Sequence, residues 1–328
     1  VCAGTTGNIY TTDPGMTGYS WNVSPGGTIT AGGTPTSNTV TVKWNIGGNQ
    51  HVQVNYNNSF GCPAGSATLY PVTVYPRPVP VISGPTAACA ATSGHIYTTD
   101  PYMNLYVWAV SPGGTINSGG GSDTISITWN TAGQRSVSLS YVNQIGCTTA
   151  TPTVYPVTVS ANASPAITGP AAACTGTSGH VYATAAGMTN YQWTISPGGI
   201  ITSGTTSNTV TVTWIVAGTQ NISVSYSNPS GCTSTTPGSK TVTVTPPPTP
   251  SILGNTTPCA NSGNYSYSTE PGMTGYQWTL SPGGLITAGA ATNQVNVTWY
   301  GSGAQWIGVN YNSAGCTAAT PSTLNLTV

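Results

Sequence analysis

The chain has 328 residues, and only eight of them are charged, four basic and four acidic, which leaves no net charge where about a quarter of a soluble chain is usually charged. Nucleic acid is excluded as a partner, because a phosphate backbone calls for clustered Lys and Arg, and Lys43, Arg77, Arg135 and Lys240 lie in different parts of the chain. Membrane insertion is excluded as well, since no run of 18 apolar residues is present.

The sequence repeats itself four times. First cysteines stand at Cys2, Cys89, Cys174 and Cys259 and second ones at Cys62, Cys147, Cys232 and Cys316, in steps of 84 to 87 residues. The same frame carries Tyr19-Ser20-Trp21, Tyr106-Val107-Trp108, Tyr191-Gln192-Trp193 and Tyr276-Gln277-Trp278, each followed by Ser-Pro-Gly-Gly. The copies are predicted at 1–76, 77–161, 162–246 and 247–328, the first lacking an opening strand. The chain thus opens at Val1-Cys2, inside a repeat, as a mature or excised portion of something longer would.

Within each copy the elements follow one order, read most easily in the third. Tyr191, Trp193 and Ile195 alternate with polar residues; Val210, Val212 and Trp214 follow, then Ile222, Val224 and Tyr226, then Val242 and Val244. Period-two alternation of this kind marks strands with one buried face, and Thr and Ser on the other face suit a solvated sheet. No segment shows a helical period. Pro-Gly-Gly after each Tyr-x-Trp strand reads as a type II turn needing a positive φ. The fold class predicted is all-β: four tandem immunoglobulin-like, PKD-like sandwiches in a rod, one disulfide per domain. Trp21, Trp44, Trp108, Trp129, Trp193, Trp214, Trp278 and Trp299 fall on the inward phase and are assigned to the cores. The connections Pro76 to Pro80, Ser160 to Pro165 and Thr245 to Pro250 are short, and the proline-rich first and last favour extended, stiff geometry.

All eight cysteines are assigned to disulfides, which implies an oxidising compartment and secretion. Each copy contains a first and a second cysteine, so pairing within a copy is favoured; closing a loop of about 58 residues would contribute about 4 kcal/mol on the chain-entropy model. Cross-linking between copies or between chains is the alternative.

Chemistry is hard to place on this chain. Asp13, Asp100 and Glu270 share a column in which the third copy has Ala185, and their Pro-Gly surroundings suggest turn capping. His95 and His180 share a column assigned to Asn8 and Asn264 elsewhere, and His51 stands alone on an outward position; three ligands do not converge, so no metal or other cofactor is predicted. No nucleophile, base and orienting group remain, and no catalytic residue is assigned. The chain is read as not an enzyme. Asn-x-Ser/Thr sequons occur about as often as composition alone gives. Trp306 differs from the other tryptophans: its column, shared with His51, Ser136 and Asn221, faces outward, and it is a candidate interface or sugar contact.

At Tyr-x-Trp, the Gly-x-Gln stretch and the Val-x-Val-x-Tyr-x-Asn-x-x-Gly-Cys ending, the copies resemble PKD-like, immunoglobulin-like repeats of large secreted bacterial surface proteins. Many such repeats carry an acidic Asp-x-Gly-Asp-Gly turn after the tryptophan; Ser-Pro-Gly-Gly stands here instead, which removes the basis for a calcium or carboxylate role. The resemblance implies cell-surface stalks, adhesins, filaments or modules beside secreted enzymes, often exported by the type IX route of gliding bacteria. A surface stalk, fibre or filament is the expectation, with self-association or neighbouring repeats as partners. An adhesin or carbohydrate-binding module with a glycan or surface ligand is the alternative. Copies two to four open with Pro80-Val81-Ile82-Ser83-Gly84-Pro85 and its counterparts, which copy one lacks. Either the array is cut from a longer one, or a neighbouring chain completes the first edge by β-augmentation.

Overall fold

A computed structural model describes all of Val1–Val328. The chain is built of strands and turns, from Asn8–Thr11 to Ser322–Thr327, and no helix is long and apolar enough to cross a membrane. It forms two compact units, Val1–Ala161 and Asn162–Val328, each containing two copies of the repeat.

The second copy shows the plan. Strands Gly114–Ser118, Thr124–Trp129 and Thr92–Thr98 make one sheet, in that order. Ala87–Cys89, Thr153–Ser160, Gly133–Val142 and Asn104–Val110 make the other. Pairing is antiparallel throughout except for Ala87–Cys89, which runs parallel to Thr153–Ser160. Before that, the entering chain pairs Ser83 antiparallel with Thr98 on the opposite sheet. One incoming segment therefore closes an edge of each sheet in turn.

Alternation in the sequence becomes alternation in burial. Ile125, Ile127 and Trp129 from one sheet meet Val137, Leu139 and Tyr141 from the other in one cluster. In the third copy Trp193, Val210, Val212, Trp214, Ile222, Val224, Tyr226, Val242 and Val244 are all buried, so two strongly half-buried sheets form a sandwich core. The tryptophans have fixed polar partners as well. Nε1 of Trp214 donates to the Tyr182 hydroxyl at 3.0 Å, and Nε1 of Trp193 donates to the Ser207 carbonyl at 2.9 Å. Trp129 and Trp299 repeat the first bond and Trp108 and Trp278 the second.

Ser-Pro-Gly-Gly corrects its sequence reading. Of the four first glycines, only Gly113 takes a positive φ, so a left-handed turn is not what the motif serves. Close approach is. A Cβ on Gly199 would lie 2.6 Å from the Trp214 ring, and one on Gly198 would lie 2.3 Å from the Gln220 amide. That Gln belongs to the Gly-x-Gln stretch and accepts from Ser196 Oγ at 2.5 Å, while Ser196 Oγ accepts from the Asn221 amide at 3.1 Å. Two motifs far apart in sequence are thus halves of one contact. In the second copy Arg135 takes the place of Gln and donates to the carbonyls of Pro112, Thr131 and Ala132 and to the Thr131 hydroxyl.

Candidate functional site

The disulfides do not close within copies. Cys2 is bonded to Cys147 and Cys174 to Cys316; Cys89 and Cys232 are also disulfide-bonded, and Cys62 and Cys259 are free and exposed. Three bonds form where eight assigned cysteines would make four. The strand ladder supplies the reason. Cys89 pairs with Ser160, beside Val159, which pairs with Gly133 at the start of the strand Gly133–Val142; Cys147 follows that strand's far end. A ten-residue strand is about 30 Å long at about 3.3 Å per residue, whereas a disulfide needs Cα atoms within about 7 Å. First and second cysteines of one copy sit at opposite ends of the sandwich.

The Cys2–Cys147 and Cys174–Cys316 bonds therefore fasten the lower end of one copy to the upper loop of the next. At the first joint Arg77, on the linker, donates through Nε to the Ala3 carbonyl at 2.6 Å and through a terminal nitrogen to the Thr148 carbonyl at 3.4 Å. One guanidinium thus holds both copies beside the Cys2–Cys147 bond. At the joint of the third and fourth copies, the Cys316 sulfur lies 3.6 Å from the carbonyl of Thr245, the last residue of the third copy's final strand.

Both cysteine-bearing segments are folded by their own hydrogen bonds. In the upper loop, Asn143 Oδ1 accepts from the amides of Ile145 at 3.1 Å and Cys147 at 2.9 Å. At the lower end, the carbonyls of Cys2, Cys89, Cys174 and Cys259 accept from the hydroxyls of Thr5, Thr92, Thr177 and Ser262. The histidines belong to this turn. His95 Nε2 lies 2.7 Å from Thr92 Oγ1 and His180 Nε2 lies 2.8 Å from Thr177 Oγ1, with burial lowering the His95 pKa. Asn8 Nδ2 donates to the Thr5 carbonyl at 3.2 Å and to Thr5 Oγ1 at 3.5 Å, and in the fourth copy the position is Tyr265, bonded to Ser262 at 2.7 Å. Tyr265, not Asn264, completes the column: Asn264 pairs with Thr298 and Tyr265 with Val297, as His180 pairs with Val212. His51 stands apart, its amide donating to Ser24 Oγ. No group of three or more His, Cys, Asp or Glu side chains is placed to hold a metal ion.

The acidic column does more than cap a turn. Asp100 accepts from the Tyr141 hydroxyl at 2.7 Å and from the amide of Val81, in the entering segment, at 3.3 Å. Glu270 accepts from the Tyr311 hydroxyl at 2.9 Å and from the Ser251 amide and hydroxyl. Burial would raise the Glu270 carboxyl, but hydrogen bonds from Ser251 and Thr269 outweigh it and hold the group at about 2. Burial, and then the bond to Glu270, push Tyr311 up to about 12. Ala185 is tolerated because Tyr191 bonds its carbonyl, as Tyr106 bonds that of Asp100.

The entering segment packs on the core of each copy that it opens. Ile82 is buried in the second copy, and Ile167 and Ile252 pack on the third and fourth cores. The next glycine crosses the face of a tyrosine: a Cβ on Gly84 would meet the Tyr97 ring at 2.4 Å, and one on Gly254 would meet Tyr267 at 2.2 Å. Tyr97 then donates to the Pro85 carbonyl at 3.0 Å and Tyr155 to that of Gly84 at 2.6 Å. In the first copy the corresponding side chains, Tyr10, Trp21, Val54 and Tyr70, line an open groove of about 280 Å³. Trp21, alone in its column, is half-buried beside this groove, while Trp44 is fully buried.

Trp306 is 38% exposed, on the outer face of the last copy. Its ring lies beside Gly308, where an added Cβ would come within 3.4 Å of it, and it borders a shallow hollow of about 490 Å³ with Thr256, Thr257 and Asn325.

Sequence spacing located both cysteine columns but not their pairing. The signal available was the long Gly-x-Gln to Tyr run between them, whose length as one strand separates the two ends.

The model of the PKD-like domain family matches residues 1–72, 75–157, 160–242 and 245–326. No relative is found among curated protein sequences. Among solved structures, human desmocollin-1 ectodomain aligns over 100% of this chain and 76% of its own at 13% identity and a TM-score of 0.26. Invasin, a bacterial integrin-binding protein, aligns over 97% and 75% at 15% identity and 0.31. The ICAM-5 D1–D4 ectodomain fragment aligns over 99% and 92% at 7% identity and 0.33. Scores this low leave the fold to rest on the family match and the strand order, and on those grounds the chain belongs to the PKD-like domain family, as four tandem copies.

Proposed function

We propose that this chain is a non-enzymatic, extracellular structural array, a stalk, fibre or filament in which each sandwich is fixed to the next. The carrying observation is that the disulfides cross copy boundaries. A peptide linker alone lets two domains swivel; a linker plus a second covalent bond closes a ring at the joint and restricts both bending and separation. Disulfides persist in oxidising compartments, which supports an extracellular location, and export by the route of gliding bacteria is part of the same reading. On this reading the copy limits fall at 76/77, 161/162 and 246/247, the first and last of them in proline-rich linkers. Growth by strand complementation is supported by the groove at Tyr10 and Trp21, shaped for a Pro-x-Ile-x-Gly segment that would add a strand along Thr11.

Electron microscopy and small-angle scattering of the chain, oxidised and then reduced, test this. Extended particles of constant length are expected before reduction, and particles of variable length with intact β-structure after it. Freely flexible particles in the oxidised state would overturn the proposal.

A second reading, an adhesin or carbohydrate-binding module, is favoured by Trp306, whose ring beside Gly308 leaves an aromatic surface on the outer sheet. Glycan-array binding lost in Trp306→Ala would support it, and a flat array would sink it.

A further inference from the structure

We infer that the outer face of the fourth sandwich is a subsite for an uncharged glycan, in which one pyranose ring lies on the Trp306 indole and its hydroxyls bond Thr279 and Asn325. The inference rests on the second reading above and names the ligand class and the residues that take it.

Two positions of one strand set the fourth copy apart from the third. Trp306 and Gly308, in the strand Ala304–Ser313, stand where the third copy has Asn221 and Ser223. Trp306 is paired with Asn325 and Gly308 with Thr279, as Asn221 is paired with Thr241 and Ser223 with Thr194. In the third copy these outward side chains engage one another: Thr194 Oγ1 lies 2.6 Å from Ser223 Oγ, and Thr241 Oγ1 donates to Asn221 Oδ1 at 3.1 Å. In the fourth, Gly308 offers Thr279 no hydroxyl and the indole offers Asn325 no oxygen. Both polar groups are released from those bonds at the rim of an aromatic ring.

The missing side chain also shapes the surface. A Cβ on Gly308 would come 2.7 Å from Thr279 Oγ1 and 3.4 Å from Trp306 Cζ3, so the hydroxyl and the indole approach one bare point of the sheet. The other eight tryptophans each donate Nε1–H to an acceptor within the chain. Trp306 does not, which leaves that donor for a ligand. The hollow it borders with Asn325, about 490 Å³, is within the range of small-molecule sites.

Chemistry selects the ligand. The face of an aromatic ring is the negative part of its quadrupole, which suits the C–H bonds on one face of a pyranose while the sugar hydroxyls point to the rim. From 247 to 328 the chain has no Lys, Arg or His and a single acid, Glu270, whose carboxylate is bonded to Ser251, Thr269 and Tyr311. A uronate, sialate or sulfate would find no cation there to pair its charge; a neutral sugar needs none.

The test is affinity electrophoresis of the full chain through gels containing a neutral β-glucan or β-galactan, with polygalacturonate and dextran sulfate as charged counterparts. Retardation by a neutral polymer is expected, and none by the charged ones. Trp306→Asn and Gly308→Ser each install the residue that the third copy folds with, and an unchanged melting temperature checks that each variant is folded. Trp306→Asn should weaken binding by about tenfold or more, as loss of a tryptophan anchor does. Gly308→Ser, which gives Thr279 a hydroxyl partner again, should weaken it by about three- to tenfold, the value of one or two hydrogen bonds. If Trp306→Asn weakens binding and Gly308→Ser does not, or if only charged polymers bind through Trp306, this inference falls and the sugar-binding reading stands. If no polysaccharide retards the chain, if Trp306→Asn changes nothing, or if Trp306 serves instead to dimerise the chain, both fall.

Discussion

Cys2 and Cys147 are bonded to each other 145 residues apart, and the Arg77 side chain beside them donates to the carbonyls of Ala3 and Thr148, the residues that follow each cysteine. The bond belongs to the joint: Cys147 is fully buried there, but neither cysteine belongs to the clusters that form the two sandwich cores. Replacing both cysteines with Ser should leave the β-sheet spectrum unchanged and separate the melting of the first copy from that of the second. On the chain-entropy model a loop this long contributes about 5 kcal/mol at most. Calorimetry of the double variant against wild type measures it; unchanged melting would show that the joint contributes nothing.

Close packing of glycine under tryptophan gives a sharper test. Gly199→Ala should destabilise the third copy by about 1–3 kcal/mol, as overpacking usually does, because the new Cβ meets Trp214 at 2.6 Å. Gly121→Ala, where nothing lies within 4 Å, should be neutral. Chemical denaturation followed by tryptophan fluorescence compares the two.

Leu105 has a φ of 50° where the other copies place Gly18, Asn190 and Gly275, also at positive φ. It is 75% exposed, so its side chain adds little packing. A left-handed conformation costs an L-residue about 1–2 kcal/mol, and glycine's extra chain entropy returns part of that. Leu105→Gly should therefore stabilise the second copy by about 0.5–1 kcal/mol, seen as a higher denaturation midpoint.

Glu270 gives the fourth copy a pH dependence. Its folded pKa, about 2, lies below the ordinary 4.5, so the unfolded chain binds the extra proton. The stabilisation is complete above about pH 5 and is lost as pH falls from there towards 2. Protection of the Ser251 amide against exchange, measured relative to its intrinsic rate at each pH, should fall over that range in the wild type and be low at every pH in Glu270→Ala. The third copy, with Ala185, should show no such window.

Strand positions were legible because alternation is local: Val210-Thr211-Val212-Thr213-Trp214 declares its own buried face. Contacts between distant segments were not. Gly198 suggests a turn until Gln220 is found against it, and His95 suggests a surface side chain until Thr92 and the Cys89 carbonyl are seen behind it. Counting six residues from each first cysteine finds Asn8, His95, His180 and Tyr265, a column whose shared duty is a hydrogen bond and not a chemical type. Pairing of the cysteines depends on which end of a ten-residue strand each occupies, and that is a property of topology.

The two arginines direct their donors to carbonyls and a hydroxyl, Arg77 at the first joint and Arg135 over the Pro112 turn. Dissolved salt weakens attraction between exposed opposite charges, and here hardly any such pairs exist to weaken. A fibre made this way would hold the same shape in fresh water and in brine, and its solubility would depend on temperature and hydroxyl hydration far more than on ionic strength.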